Sequence, residues 1–138
     1  MTRTKAASRK PLVWIGSARD DMRAMPEAVK DIFGKKIDDA QAGVFPEGAR
    51  PFREGLPRDI LKLVAHESGE AYRCAYVAAL QGVIYVLHVF QKKSKSGIKT
   101  PKEDKNRVEV RYKAAKQHYE MNKATYVIQA DAAPEFKP

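Results

Sequence analysis

The chain is poor in the residues that build several familiar kinds of site. Cys74 is its only cysteine. No disulfide can close within the chain, and no cysteine-rich zinc site can form. A reducing cytoplasm is the compartment that fits this usage. Apolar runs are short, and none approaches the roughly 18 residues that span a bilayer, so no membrane role is expected. The first residues, MTRTKAASRKP, are basic but lack an apolar segment. They do not read as a secretory signal. G-x-S-x-G, H-E-x-x-H and the phosphate loop ending in Lys-Ser/Thr are all missing, and no carboxylates or histidines sit at metal-ligand spacing. Neither a metal nor a cofactor is expected.

Positive charge is plentiful. Twenty-six Lys and Arg face 17 Asp and Glu, a formal net charge of +9. That balance favours an acidic partner such as nucleic acid or an acidic protein. Hydrophobic residues make up 43% of the 138, which suits one domain with one core.

Residues 1–11 read as a basic tail, 12–119 as the domain and 120–138 as an extension. Leu12 to Ile15 is a short strand signal stopped by Gly16. Ser17, with Asp20 three residues on, reads as a helix cap. Pro26 and Glu27 open a longer helix with Val29, Ile32, Phe33, Ile37 and Ala40 at helical spacing, and Gly43 stops it. A loop rich in Pro and Gly follows, from Val44 to Gly55. Three strand signals come next, at 59–67, 71–80 and 83–91, with turns at Ser68-Gly69 and Gln81-Gly82. Such short connections make an antiparallel meander. Pro101 opens a last helix with Val108, Tyr112, Ala115 and Tyr119 on one face. Beyond it the chain reads as loose except for an apolar patch at Tyr126–Ile128. The expected fold is α+β: a small antiparallel sheet, the meander plus an N-terminal strand, packed against N-terminal helices, with a C-terminal helix. One sheet face would stay at least partly open.

The most informative string is VIYVLHVFQKKSKSGIKTP, Val83 to Pro101. An apolar run suited to a central strand switches abruptly to lysines. A rigid strand thereby delivers a cationic loop to a fixed place. Strand parity puts Lys62 and His66 on the open face, with Arg73 on the next strand and His88 and Phe90 on the third, which exits into Lys92 and Lys93. Such a set suits metal-independent cleavage of RNA. The attacking 2′-hydroxyl must lose a proton, and charge develops on phosphate oxygens. An arginine fork meets that charge, histidine or a depressed lysine moves protons, and Phe90 or Tyr85 can stack on a base. Plainer readings stand beside these. Arg73 can balance Glu67 or Glu70 across the turn, His88 can be a satisfied core histidine, and Phe90, Tyr85 and Tyr76 can be core. Residues 92–116 carry ten Lys/Arg against three acids, which also suits a solvated face.

The strings GLPRDILKLVAHESGEAYRCAYV and VIYVLHVFQKKSKSGIKTP, with the charged helix of Lys105, Arg107, Arg111 and Lys116, resemble the RelE/ParE toxin superfamily, nearest its phage-derived HigB-like branch. The resembling marks are Tyr72-Arg73, the Leu87–Lys93 string and Thr100-Pro101. The resemblance covers residues 12–118. It implies a type II toxin that cleaves mRNA on the ribosome and is neutralised by a cognate antitoxin protein. It implies catalytic roles for Arg73, Lys92, Lys62, His66 and His88. RNA contacts would fall to Lys92, Lys93, Lys95, Phe90 and Arg111. Two alternatives remain at this point: a ParE-like inhibitor of DNA gyrase that leaves RNA intact, and a non-toxic nucleic-acid-binding relative.

Overall fold

The computed structural model describes residues 9–92 and 99–132, with side chains to 128. Strand β1 (Leu12–Trp14) leads into helices α1 (Ala18–Arg23) and α2 (Glu27–Gln41). Strands β2 (Arg50–Pro51), β3 (Ile60–Glu67), β4 (Glu70–Val77) and β5 (Ile84–Lys92) follow, and helix α3 (Lys102–Ala132) closes the chain. The sheet order is β1-β5-β4-β3-β2. The expected α+β class and meander are both present. Two details were not foreseen: β1 joins β5 in parallel, and β2 adds a fifth strand at the opposite edge. β2 is two residues long and contains Pro51, which an edge tolerates.

Ser68 and Gly69 form the β3–β4 turn, both left-handed at φ 52° and 80°. A two-residue hairpin of that twist needs such a pair. The β4–β5 connection is longer than the expected two-residue turn, because the strands stop at Val77 and start again at Ile84. Gly82 explains why. Its φ is +88°, and a Cβ there would lie 2.4 Å from the Tyr126 carbonyl oxygen. The loop is shaped to receive the backbone of α3. Tyr119 donates its hydroxyl to the Gln81 carbonyl at 3.0 Å, and its ring stacks on that of Tyr126.

These contacts correct one expectation. The chain beyond Tyr119 is not loose: α3 runs on to Ala132. The second sheet face is partly open, as expected: His66 is exposed at the hairpin end and α3 covers the rest. α1 and α2 cover one face over Leu63, Ala65, Cys74, Tyr76, Ile84 and Val86. On the other, Val108, Ala115 and Tyr119 of α3 pack on Ile60, Val77, Tyr85 and Leu87. There are thus two cores, one on each side of a shared sheet, rather than one. Each buried Leu, Ile or Val contributes about 1.5–3 kcal/mol, so the outer helix is a structural layer and no mere cover.

The Ser17–Asp20 capping box does not form. Ser17 Oγ donates to Asp21 at 2.9 Å and makes no cap to the backbone.

Candidate functional site

Register places the candidate residues on the α3 face of the sheet as a grid of three rows. His66, Ala71 and Lys92 form the row nearest the hairpin. Val64, Arg73 and Phe90 form the next, and Lys62, Ala75 and His88 the third. Neighbouring strands lie about 4.8 Å apart, so outer members of a row are about 10 Å from each other. A bulge shapes the last row. Ala75 pairs with His88 but Tyr76 pairs with Val86, which leaves Leu87 unmatched. Leu87 joins the core beneath α3, and His88 meets side chains of both α1 and α3.

Arg73 stands at the centre of the grid. It is buried, at 8% exposure. Nη1 makes a long contact of 3.5 Å to Thr100 Oγ1. Nε has no hydrogen-bond partner. Burial lowers its pKa, Glu54 opposes that shift, and an arginine stays cationic throughout. The reading of Arg73 as a surface partner of Glu67 or Glu70 is therefore wrong, because the side chain lies under the start of α3. Lys62 is partly buried, with Nζ 5.5 Å from the Phe52 ring. Its pKa is lowered first by burial and then by Arg73, against a smaller upward push from Glu54.

Glu54 was not singled out in the sequence, and Thr100 only as a mark of the resemblance. Thr100 donates its backbone N–H to Glu54 Oε1 at 2.8 Å and its hydroxyl to Oε2 at 2.9 Å. Arg53, Glu54 and Gly55 all have left-handed backbone, at φ 69°, 54° and 83°. Two non-glycine residues in that region cost about 1–2 kcal/mol each, offset by the two bonds to Thr100. This turn folds the carboxylate back onto the α3 start, beside Arg73 and Lys62. A cleft of about 490 Å³ opens here, lined by Glu54, Lys99, Lys102, Lys105 and Glu109.

The other side of the Thr100–Pro101 segment is different in kind. His88 is 3% exposed. Its Nε2 lies 2.8 Å from Asp104 Oδ1, and its Nδ1 lies 3.3 Å from Arg111 Nη1. A guanidinium can only donate, so Nδ1 accepts and Nε2–H donates to Asp104. That fixes the neutral tautomer. Burial, the largest influence, lowers the His88 pKa, and Asp104 pushes it back up. Arg111 also donates to the Leu87 carbonyl at 3.0 Å and to Ser17 Oγ at 2.9 Å, and lies 3.7 Å from Asp21. Gly16 makes room for it: a Cβ there would sit 2.7 Å from Arg111 Nε. Phe90 stacks on His88, with ring centroids 4.8 Å apart. This network borders a cleft of about 660 Å³ that also reaches Met25, Glu103 and Arg107.

The structure thus brings Arg73 and Lys62 together and sets His88 and Arg111 apart in an internal network. Phe90 is buried between the two. His66 is exposed at the hairpin end, and Lys92 is half-exposed at the end of β5. Lys93 and Lys95 lie outside the described residues.

What fold and site define is a small basic α+β protein whose sheet is wrapped by helices on both faces. The family profile described as Phage derived protein Gp49-like (DUF891) matches residues 20–113. The chain belongs to this family, a RelE-like toxin family, as the sequence strings suggested. Among solved structures it is similar to a double mutant of the E. coli toxin RelE in the free state. That pair has 20% identity and a TM-score of 0.48, covering 63% of this chain and 87% of that one. No curated protein matches the sequence. Among the described residues no helix is long and apolar enough to cross a membrane.

Proposed function

We propose that this chain is the toxin of a type II toxin–antitoxin pair, a HigB-like endoribonuclease that cleaves mRNA on the ribosome without a metal. The observation that carries this reading is Arg73: a buried cation with an unpartnered Nε, beside a lysine whose pKa is lowered. A buried unpaired donor costs about 1–3 kcal/mol. That cost is recovered when an anion binds.

In the proposed reaction the 2′-oxygen attacks the adjacent phosphorus and the bond to the 5′-oxygen breaks. The products are a 2′,3′-cyclic phosphate and a 5′-hydroxyl. Lys62, as its neutral amine, takes the 2′ proton. Arg73 meets the charge on the phosphate oxygens. Lys92 and His66, at the open end of the grid, hold the strand and protonate the leaving 5′-oxygen. His88 keeps β5 in register against α1 and α3, with both ring nitrogens occupied.

Induced expression in bacteria without an antitoxin, with primer extension on an abundant mRNA, tests this. Growth arrest with new in-frame cleavage sites is expected. Arrest with intact mRNA would replace the reading by gyrase inhibition. Absence of arrest would leave a nucleic-acid-binding module.

A further inference from the structure

A cavity of about 190 Å³ lies at the C-terminal end of α2, on the sheet face opposite Arg73. Its walls are Ala40, Val44, Phe45, Pro46 and Ala78. Tyr76 lines it as well and is fully buried. The Tyr76 hydroxyl has no hydrogen-bond partner. Burial raises its pKa, so it stays a phenol with a proton to donate. The helix end beside it is already capped by backbone. Asp38 accepts from the Ala42 N–H at 3.1 Å, Asp39 from Val44 at 2.9 Å, Ala40 from Gly43 at 3.0 Å and Gln41 from Lys10 at 2.8 Å, all at their carbonyls. The last turn of α2 therefore has no need of the phenol.

Lys10 is the other polar side chain on the wall. A double clasp fixes its backbone: its N–H donates to the Gln41 carbonyl and its carbonyl accepts from Gln41 Nε2, both at 2.8 Å. Its neighbour Arg9 is paired with Asp38, and no acid lines the cavity. One cation and one orphaned donor over apolar walls do not suit water, which needs about two to four polar partners. They suit an anion with an apolar body. A cavity of about 150 Å³ is enough for benzene, so this one has room for a single ring and one small polar group. Phe45, 66% exposed, supplies an aromatic face to that ring. We propose that this cavity binds a small aromatic carboxylic acid. The Tyr76 hydroxyl and the Lys10 ammonium take the carboxylate, and Val44, Phe45 and Pro46 take the ring. The site is independent of the nuclease reading.

Titration of the full, isotope-labelled chain with benzoate, followed by amide NMR, tests this. Benzylamine is the cationic control of similar size. Benzoate is expected to give saturable shifts of the Val44, Phe45 and Ala78 amides, and benzylamine none. Tyr76→Phe keeps the ring and removes the hydroxyl. It is expected to weaken benzoate about tenfold, as for a lost hydrogen bond to a charged group. It is also expected to melt no lower than the parent, because no bond of the free protein is lost. Lys10→Gln is expected to weaken benzoate about threefold, as for a charge pair open to solvent. Absence of saturable shifts, equal shifts with benzylamine, or shifts centred on Thr100 to Lys105 overturns the proposal. So does an unchanged benzoate affinity in Tyr76→Phe. A fall in the melting temperature of that variant overturns it too, since the hydroxyl would then already be partnered.

Discussion

Two clusters of charge lie on the same sheet face, divided by the Thr100–Pro101 segment, and they are built on opposite principles. Around His88 each donor has an acceptor. Arg111 serves the Leu87 carbonyl, Ser17 and His88, and Asp104 accepts from Nε2. Around Arg73 the balance fails. Nε is buried without a partner, Lys62 is pressed by burial and a neighbouring cation, and Glu54 is committed to Thr100. A completed buried network rigidifies, whereas an incomplete one costs free energy that a bound partner can return. The His88 cluster therefore ties three elements together, and the Arg73 cluster is where an anion gains most. Among the described residues the one other orphaned buried polar atom is the Tyr76 hydroxyl, on the face covered by α1 and α2.

The largest expected effect breaks the comparison on the functional side. Arg73→Lys keeps the charge but loses the planar fork. Its cleavage rate should fall about 100-fold or more, as when a fixed charge-stabilising donor is lost, with thermal stability little changed. A large loss of stability with normal cleavage by the folded fraction would put Arg73 in the structural cluster instead.

His88→Leu breaks the other side. It strands Asp104 and Arg111, each partly solvated, and should cost about 2–3 kcal/mol of unfolding free energy. Cleavage per folded molecule should be unchanged. A rate loss larger than the loss of folded protein would return His88 to the catalytic set.

The legibility of the two clusters differs for physical reasons. The strand of Val83–Gln91 and its lysine exit show plainly, because an apolar run and a charge switch are local patterns. The parity that puts Lys62, Arg73, His88 and Phe90 on one face is right for the same reason. The contact of Arg73 with Thr100, and of Thr100 with Glu54, is not local. Glu54 sits in a Pro/Gly loop, and nothing in its neighbours says that three left-handed residues will fold its carboxylate back onto Thr100, 46 residues away. The Leu87 bulge leaves no mark in composition. The end of α3 reads as loose because apolar residues lie on two opposite stripes, which erases the one-sided pattern by which a surface helix is recognised. β2 is too short, and too encumbered by Pro51, to show at all.

Finer substitutions sharpen the contrast. Lys62→Arg keeps a cation that cannot act as a base near neutral pH. Cleavage should fall by about tenfold to 100-fold, the usual range for one proton-transfer group, and should lose its rise with pH. In the unmodified chain that rise should come below the ordinary lysine value of 10.5, because the pKa is lowered. A profile identical in both proteins assigns the proton elsewhere.

Asp104→Asn tests the satisfied cluster most gently. Its side-chain oxygen can still accept from His88 Nε2–H, so near pH 8 the loss should be under about 1 kcal/mol. The sign of the pH effect follows from linkage. His88 has a folded pKa below 6.5, so its contribution is present above that value and fades as pH falls through the folded one. Asp104 pushes that pKa up, and removing its charge lowers it further. The variant should therefore lose more stability than the parent as the pH drops from 7 to 5, read from urea unfolding at each pH. A loss of the same size at both pH values would mean that His88 bears no proton burden, and that hydrogen bonding alone, without charge, holds β5 against the start of α3.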